Sequence, residues 1–126
     1  MIFGIGTDMV SIPRISGLID RYGERFLHKI FTGDEVEEGL KRKDIAHFFA
    51  ARFAAREAFF KALGTGWGVG LSLKEVGVVR KDKGKPTFIL SDRVKNALKQ
   101  QNIAFCHLSL THDGDMAQAL VILERG

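Results

Sequence analysis

Hydrophobic positions along this chain change period several times, and each change marks an element. Residues 2–8 alternate: Phe3, Ile5 and Thr7 share one face, Gly4, Gly6 and Asp8 the other, as in a strand with one face almost bare of side chains. The bare face lets another backbone, or a ligand, approach Asp8 closely. From Ile12 the period lengthens. Ile12, Ile15, Leu18, Ile19 and Tyr22 recur at helical spacing, with Ser11 as N-cap and Pro13 in the first turn. Gly23 interrupts, and a short helical piece runs on through Ile30. Thr32, three residues before Glu35, forms a capping box that predicts a helix to about Lys41. Asp44 is placed to cap the longest helix, which ends near Leu63. Its apolar residues, including Phe48, Phe49, Phe53, Ala58 and Phe59, surround the axis on nearly all sides, which predicts a buried central helix.

From Gly64 to Gly70 every other residue is glycine, which reads as a loop able to reach positive φ or to approach a ligand. Residues 76–80 and 86–90 read as strands joined through the Lys81–Lys85 turn, and Ser91 caps a helix to about Gln101. Strands near 103–112 and 115–124 close the chain, with Asp113-Gly114 as the hairpin signal between them. Strand, helices, two strands, helix, two strands is an α+β order. It implies an antiparallel sheet packed with a long central helix, not a doubly wound parallel sheet. The 126 residues contain no repeat, low-complexity segment or linker, so residues 1–126 read as a single domain.

Composition narrows the class. A hydrophobic fraction of 45% supports a globular chain. No apolar run approaches the roughly 20 residues that span a bilayer, so no membrane association is expected. The N-terminus lacks the basic and apolar segments of a signal peptide. Cys106 is the only cysteine, which excludes an intrachain disulfide and makes a reducing cytoplasm the expected setting. The net charge of +4 and pI of about 9.4 suit an acidic partner or anionic ligand. There is no basic-aromatic strip to stack bases, so nucleic acid is not an expected partner.

The candidate chemistry begins with Asp8 and Glu57. Each is an acid among mostly apolar or small residues, where an ionised carboxylate is costly to bury alone. A divalent cation would satisfy both. The plainer alternatives are a turn or helix cap for Asp8, and a helix pair with Lys61 for Glu57 worth about 0.2–0.5 kcal/mol. Glu57 and Lys61 lie one turn apart on one helix face. Arg52 and Arg56 point roughly 100° or more away from Glu57, either as two solvated arginines or as a phosphate clamp. The glycine loop is not a P-loop, and Gly64 suits a helix C-terminus. His112 ends Ser109-Leu110-Thr111-His112 near the hairpin tip. The histidines have no zinc spacing. Arg14, Arg21, Arg25 and Lys29 form one basic stripe if Gly23 only bends its helix. That stripe is either a solvated face or a dock for an acidic helix.

Together these residues resemble the holo-acyl-carrier-protein synthases, the small branch of the 4′-phosphopantetheinyl transferases. The resemblance runs the length of the chain. It is carried by G-I-G-T-D (Gly4 to Asp8), R-F-A-A-R-E-A-F-F-K-A-L-G-T-G (Arg52 to Gly66), G-K-P (Gly84 to Pro86), S-L-T-H (Ser109 to His112) and A-Q-A-L-V-I-L-E (Ala117 to Glu124). Arg56 departs from the lysine of many members, with charge retained. The resemblance implies Mg²⁺ on Asp8 and Glu57, and catalysis by Glu57 and Lys61, with Glu57 or a metal-bound water as base. It implies coenzyme A bound by Arg52, Lys61, Gly64, Gly66, Lys85, Pro86 and His112. An apo acyl carrier protein would dock on Arg14, Arg21 and Arg25. Transfer of the phosphopantetheine arm, for fatty acid biosynthesis, would release adenosine 3′,5′-bisphosphate. The resemblance also implies a homotrimer with sites between subunits, in keeping with surplus apolar surface on the 44–63 helix. A Mg²⁺-dependent nucleotide or diphosphate hydrolase is the first alternative, and a non-enzymatic basic adaptor the second.

Overall fold

The computed structural model describes residues 1–64, 70–81 and 84–126. Its element order is β1 (Ile2–Ser11), α1 (Ile12–Tyr22), α2 (Glu24–Ile30), α3 (Gly33–Leu40), α4 (Ile45–Leu63), β2 (Val76–Arg80), β3 (Pro86–Leu90), α5 (Asp92–Gln100), β4 (Ile103–Asp113) and β5 (Met116–Arg125). The architecture is the expected α+β one with antiparallel pairing throughout, but the strands divide into two sheets. One is three-stranded in the order β1-β5-β4; the other is the β2-β3 hairpin alone.

Local chemistry sets most boundaries. The Ser11 hydroxyl accepts from Arg14 N–H at 3.2 Å and starts α1. The Thr32–Glu35 capping box starts α3, and the Ser91 hydroxyl accepts from Val94 N–H to start α5. Helix α4 ends on Gly64 at φ 81°, whose N–H donates to the Phe60 and Lys61 carbonyls. Asp44 stands at the N-cap of α4 without a side-chain cap bond. Strand β1 outlasts its predicted end at Asp8, because pairing with β5 continues to Ser11 opposite Met116. The terminal hairpin turns on Gly114-Asp115, one residue later than expected: Asp113 still pairs with Met116, and Gly114 takes φ 56°.

Helix α4 is the centre. It packs along β1 and β5, and Phe49, Ala50, Ala54, Ala55, Ala58 and Phe59 on it are fully buried. The inner face of the sheet meets it with Ala117, Ala119, Val121 and Leu123, all buried. The chain itself thus covers the surplus apolar surface of α4. Uncovered apolar surface lies on the outer face of the sheet, where Ile5, Met9, Phe105 and Leu120 are 41–59% exposed. Phe3 leaves that face: the β1–β5 register shifts between Ile2 and Gly4, and Phe3 packs against the core.

One buried charge network ties α3, α4 and the small sheet together. Arg56 is completely buried and Glu35 is 3% exposed. The Arg56 guanidinium forms a two-point ion pair with the Glu35 carboxylate, through Nη1 to Oε2 at 3.0 Å and through Nη2 to Oε1. Its Nε donates to the Leu73 carbonyl at 3.0 Å. Glu35 also accepts the Thr32 N–H at 2.9 Å and the Val78 N–H at 3.1 Å. Arg56 is therefore neither a solvated residue nor a phosphate clamp. Breaking either half of a satisfied buried pair strands the other charge. Arg56→Ala or Glu35→Ala alone is expected to destabilise the fold by about 3–5 kcal/mol, and Glu35→Leu with Arg56→Met by much less than the sum. Urea unfolding of the three variants checks this; additive losses contradict it.

Candidate active site

The even-numbered positions of β1 face α4, and the glycines there decide how near the helix lies. A Cβ on Gly4 would overlap the Ala62 carbonyl oxygen, and one on Gly6 would overlap that of Ala58. Bare backbone at both positions lets α4 rest directly on the strand. Asp8 follows on the same face, beside the helix. The Lys61 ammonium reaches across and donates to Asp8 Oδ1 at 2.9 Å and to the Thr7 carbonyl at 3.1 Å. The Asp8 side chain is 16% exposed and that of Lys61 55%, so the pair sits at the rim of the protein with its acid turned inward. Glu57 is half-buried one turn earlier on the same helix face as Lys61. The structure thus joins Asp8 to Lys61 from opposite ends of the first half of the chain, with Glu57 one turn before Lys61.

This donor set fits a hard cation. Among the described residues, no three His, Cys, Asp or Glu side chains cluster as a closed metal site, which does not suit structural zinc. Two carboxylates do suit Mg²⁺, which takes one or two protein acids and fills its shell with phosphate oxygens and water. Lys61 alongside gives an anionic ligand a second positive contact.

A second feature is strongly cationic. Arg42, Arg52 and Arg80 converge with His47 and His112 around a cavity of about 410 Å³. Arg52 is 6% exposed. Its guanidinium lies 3.7 Å from the Phe48 ring centroid, and its buried Nε has no partner among the described residues. Burial pushes the Arg52 pKa down to about 10, against the raising influence of Glu35 and Glu38. A buried, partly unsatisfied guanidinium among further cations is a site that gains by taking an anion. His112 stands on β4, edge-on to His47 at 5.9 Å between ring centroids.

The other predicted residues fall as follows. Gly64 caps α4 in the left-handed region. Lys85 is exposed, and Pro86 pairs with Arg80 at the mouth of the β2-β3 hairpin, which carries it toward the cationic cavity. Gly66 lies outside the described residues. Arg14, Arg21 and Arg25 are all exposed, but not on one stripe: Gly23, at φ 60° and ψ −145°, ends α1 and begins α2. Arg14 and Arg21 share a face of α1, while Arg25 belongs to the next helix. Sequence reasoning missed Arg42, His47 and Arg80. They come from the α3–α4 connection, the first turn of α4 and the end of β2. Only the tertiary fold brings them together.

The sequence profile of the 4′-phosphopantetheinyl transferase superfamily matches residues 4–120. A holo-[acyl-carrier-protein] synthase of Sinorhizobium medicae is 44% identical over 128 aligned residues, covering 98% of this chain and 92% of that protein. The crystal structure of the holo-[acyl-carrier-protein] synthase of Neisseria meningitidis superposes with a TM-score of 0.92 at 37% identity, over 99% of this chain and 100% of that one. A Bacillus anthracis holo-(acyl-carrier-protein) synthase, solved in complex with CoA (3′,5′-ADP), superposes with a TM-score of 0.80 at 38% identity, over 100% and 99% of the two chains. The chain belongs to the holo-[acyl-carrier-protein] synthase family, enzymes of the 4′-phosphopantetheinyl transferase superfamily.

Because Gly6 sets the strand-to-helix distance that brings Asp8 to Lys61, Gly6→Ala is expected to displace the acid and lower the transfer rate about a hundredfold. Steady-state assays checked by circular dichroism test this. A folded Gly6→Ala enzyme with an unchanged rate contradicts it.

Proposed function

We propose that this chain, acting over residues 1–126 as one domain, transfers the 4′-phosphopantetheine arm of coenzyme A to a serine of an apo acyl carrier protein. The reaction depends on Mg²⁺, releases adenosine 3′,5′-bisphosphate and serves fatty acid biosynthesis in the cytoplasm. The observation that carries this reading is the Lys61–Asp8 contact at 2.9 Å, with Glu57 on the same helix face. Two acids and a lysine are what a diphosphate held through a cation requires.

Asp8 and Glu57 are the residues that would hold Mg²⁺, and the ion would supply neutralisation of the diphosphate charge. Lys61 donates to a diphosphate oxygen and stabilises the charge that grows there as the P–O bond breaks. The carrier serine Oγ attacks the phosphorus that bears the pantetheine arm. A new O–P bond forms, the bond to the nucleotide phosphate breaks, and the serine proton passes to a base, either the Glu57 carboxylate or a water beside it. The nucleotide end extends toward Arg52, His112, Lys85 and Pro86, and Gly64 lets the ligand pass close to the end of α4. The acidic carrier meets the basic face of α1 through Arg14 and Arg21, with Arg25 beyond the break.

A trimer is part of this reading. The apolar outer sheet face, with Ile5, Met9, Phe105 and Leu120 exposed, is the surface a second copy covers. Arg52 and Glu57 are five positions apart on α4, about 140° around its axis. A donor that engages both the cationic cavity and the acid–lysine site therefore draws on two subunits.

The deciding experiment is the intact mass of an apo acyl carrier protein after incubation with coenzyme A, Mg²⁺ and this enzyme. A gain of one phosphopantetheine arm is expected; bisphosphate release with no gain would mean hydrolysis instead. Glu57→Gln is expected to remain folded and to lose turnover at every practical Mg²⁺ concentration, and near-native rates remove Glu57 from the metal site. Arg14→Glu with Arg21→Glu is expected to raise KM for the carrier protein and spare that for coenzyme A; equal KM values for the carrier remove the dock. Sedimentation equilibrium is expected to give a trimer, which an active monomer contradicts.

A further inference from the structure

The cationic cavity contains a residue that nothing in the transfer reaction above uses. His47 occupies the first turn of α4, lines the cavity and meets the His112 ring edge-on at 5.9 Å and 85°. Imidazoles in edge contact fix each other's orientation. We infer that His47 is a positioning and specificity residue of the donor site: it holds His112 toward the cavity and adds a second imidazole donor for the terminal phosphate monoester of coenzyme A. The inference rests on the proposed donor site but makes its own claim, about which residue selects the monoester.

The surroundings favour that assignment. Arg42, Arg52 and Arg80 face the same cavity, so a singly charged ligand leaves their charge largely unanswered, whereas a dianionic phosphate answers most of it. Asp44, three residues before His47, is the acid on the cavity wall. Behind His47, in a groove between α1 and α4, stand Asp20 and Lys43.

The test compares coenzyme A with dephospho-coenzyme A, which lacks the monoester, as donors for the intact enzyme. His47→Ala is expected to raise KM for coenzyme A about tenfold, the worth of one charge-assisted hydrogen bond, with the loss in KM rather than kcat. KM for dephospho-coenzyme A should move little. His47→Arg should recover the affinity, because a guanidinium donates to the same phosphate. Equal losses with both donors, a loss confined to kcat, or a His47→Arg enzyme as weak for coenzyme A as His47→Ala would overturn the assignment. A wild-type enzyme that adds no mass to the carrier would instead overturn the transfer reaction itself, a separate result.

Discussion

The distance between β1 and α4 is the constraint on which the site rests. An ordinary side chain at Gly4 or Gly6 would hold the helix away from the strand, and these two positions carry none. The helix settles onto bare backbone, and its last turns lie beside the one acid of that face. Lys61 then needs no adjustment to reach Asp8 and the Thr7 carbonyl. The site is a product of close backbone packing first and of charge second. A strand with alanines in place of these glycines could keep the hydrophobic pattern and the same acids, and still lose their convergence.

Behind that contact the helix is pinned from the opposite side. Arg56 and Glu35 join α4 to α3 and, through Leu73 and Val78, to the start of the small sheet. A fully buried ion pair is a poor source of net stability but a strict judge of arrangement, because any misregister leaves charge unpaired away from water. Further along the chain Glu75 performs a similar service at the surface. The Ser72 N–H first, and Arg93 after it, hold its carboxyl down at about pKa 2, fastening the entry of β2 to α5. The Arg93 guanidinium also donates to the Gly70 carbonyl, where the described chain resumes after the glycine segment.

Much of this was readable from residue order because the signals were local. Ser11, Thr32 and Ser91 are hydroxyls placed to receive a backbone N–H three residues on, and each does so. Asp8, Glu57 and Lys61 were legible as polar exceptions in apolar settings. What could not be read was anything decided by a distant segment. Arg56 looks like a surface charge until Glu35 arrives from another helix. His47 shows no spacing relation to His112, because β4 supplies the neighbour. Gly23 was ambiguous between a bend and a break, and only its φ and ψ decide that the basic stripe divides. The outer sheet face likewise could not be told from a core face by alternation alone, since both carry Ile, Leu and Phe.

The cationic cavity has a consequence for the resting protein. Like charges are crowded there, and one guanidinium nitrogen is sealed from water without a partner among the described residues. Such a cavity is held open by the rest of the fold against internal pressure. An anion entering it acts as a keystone, relieving repulsion between α4, β2 and β4 at one stroke. Occupancy and stability are thereby coupled: an anion that binds this cavity only in the folded chain would stabilise the fold.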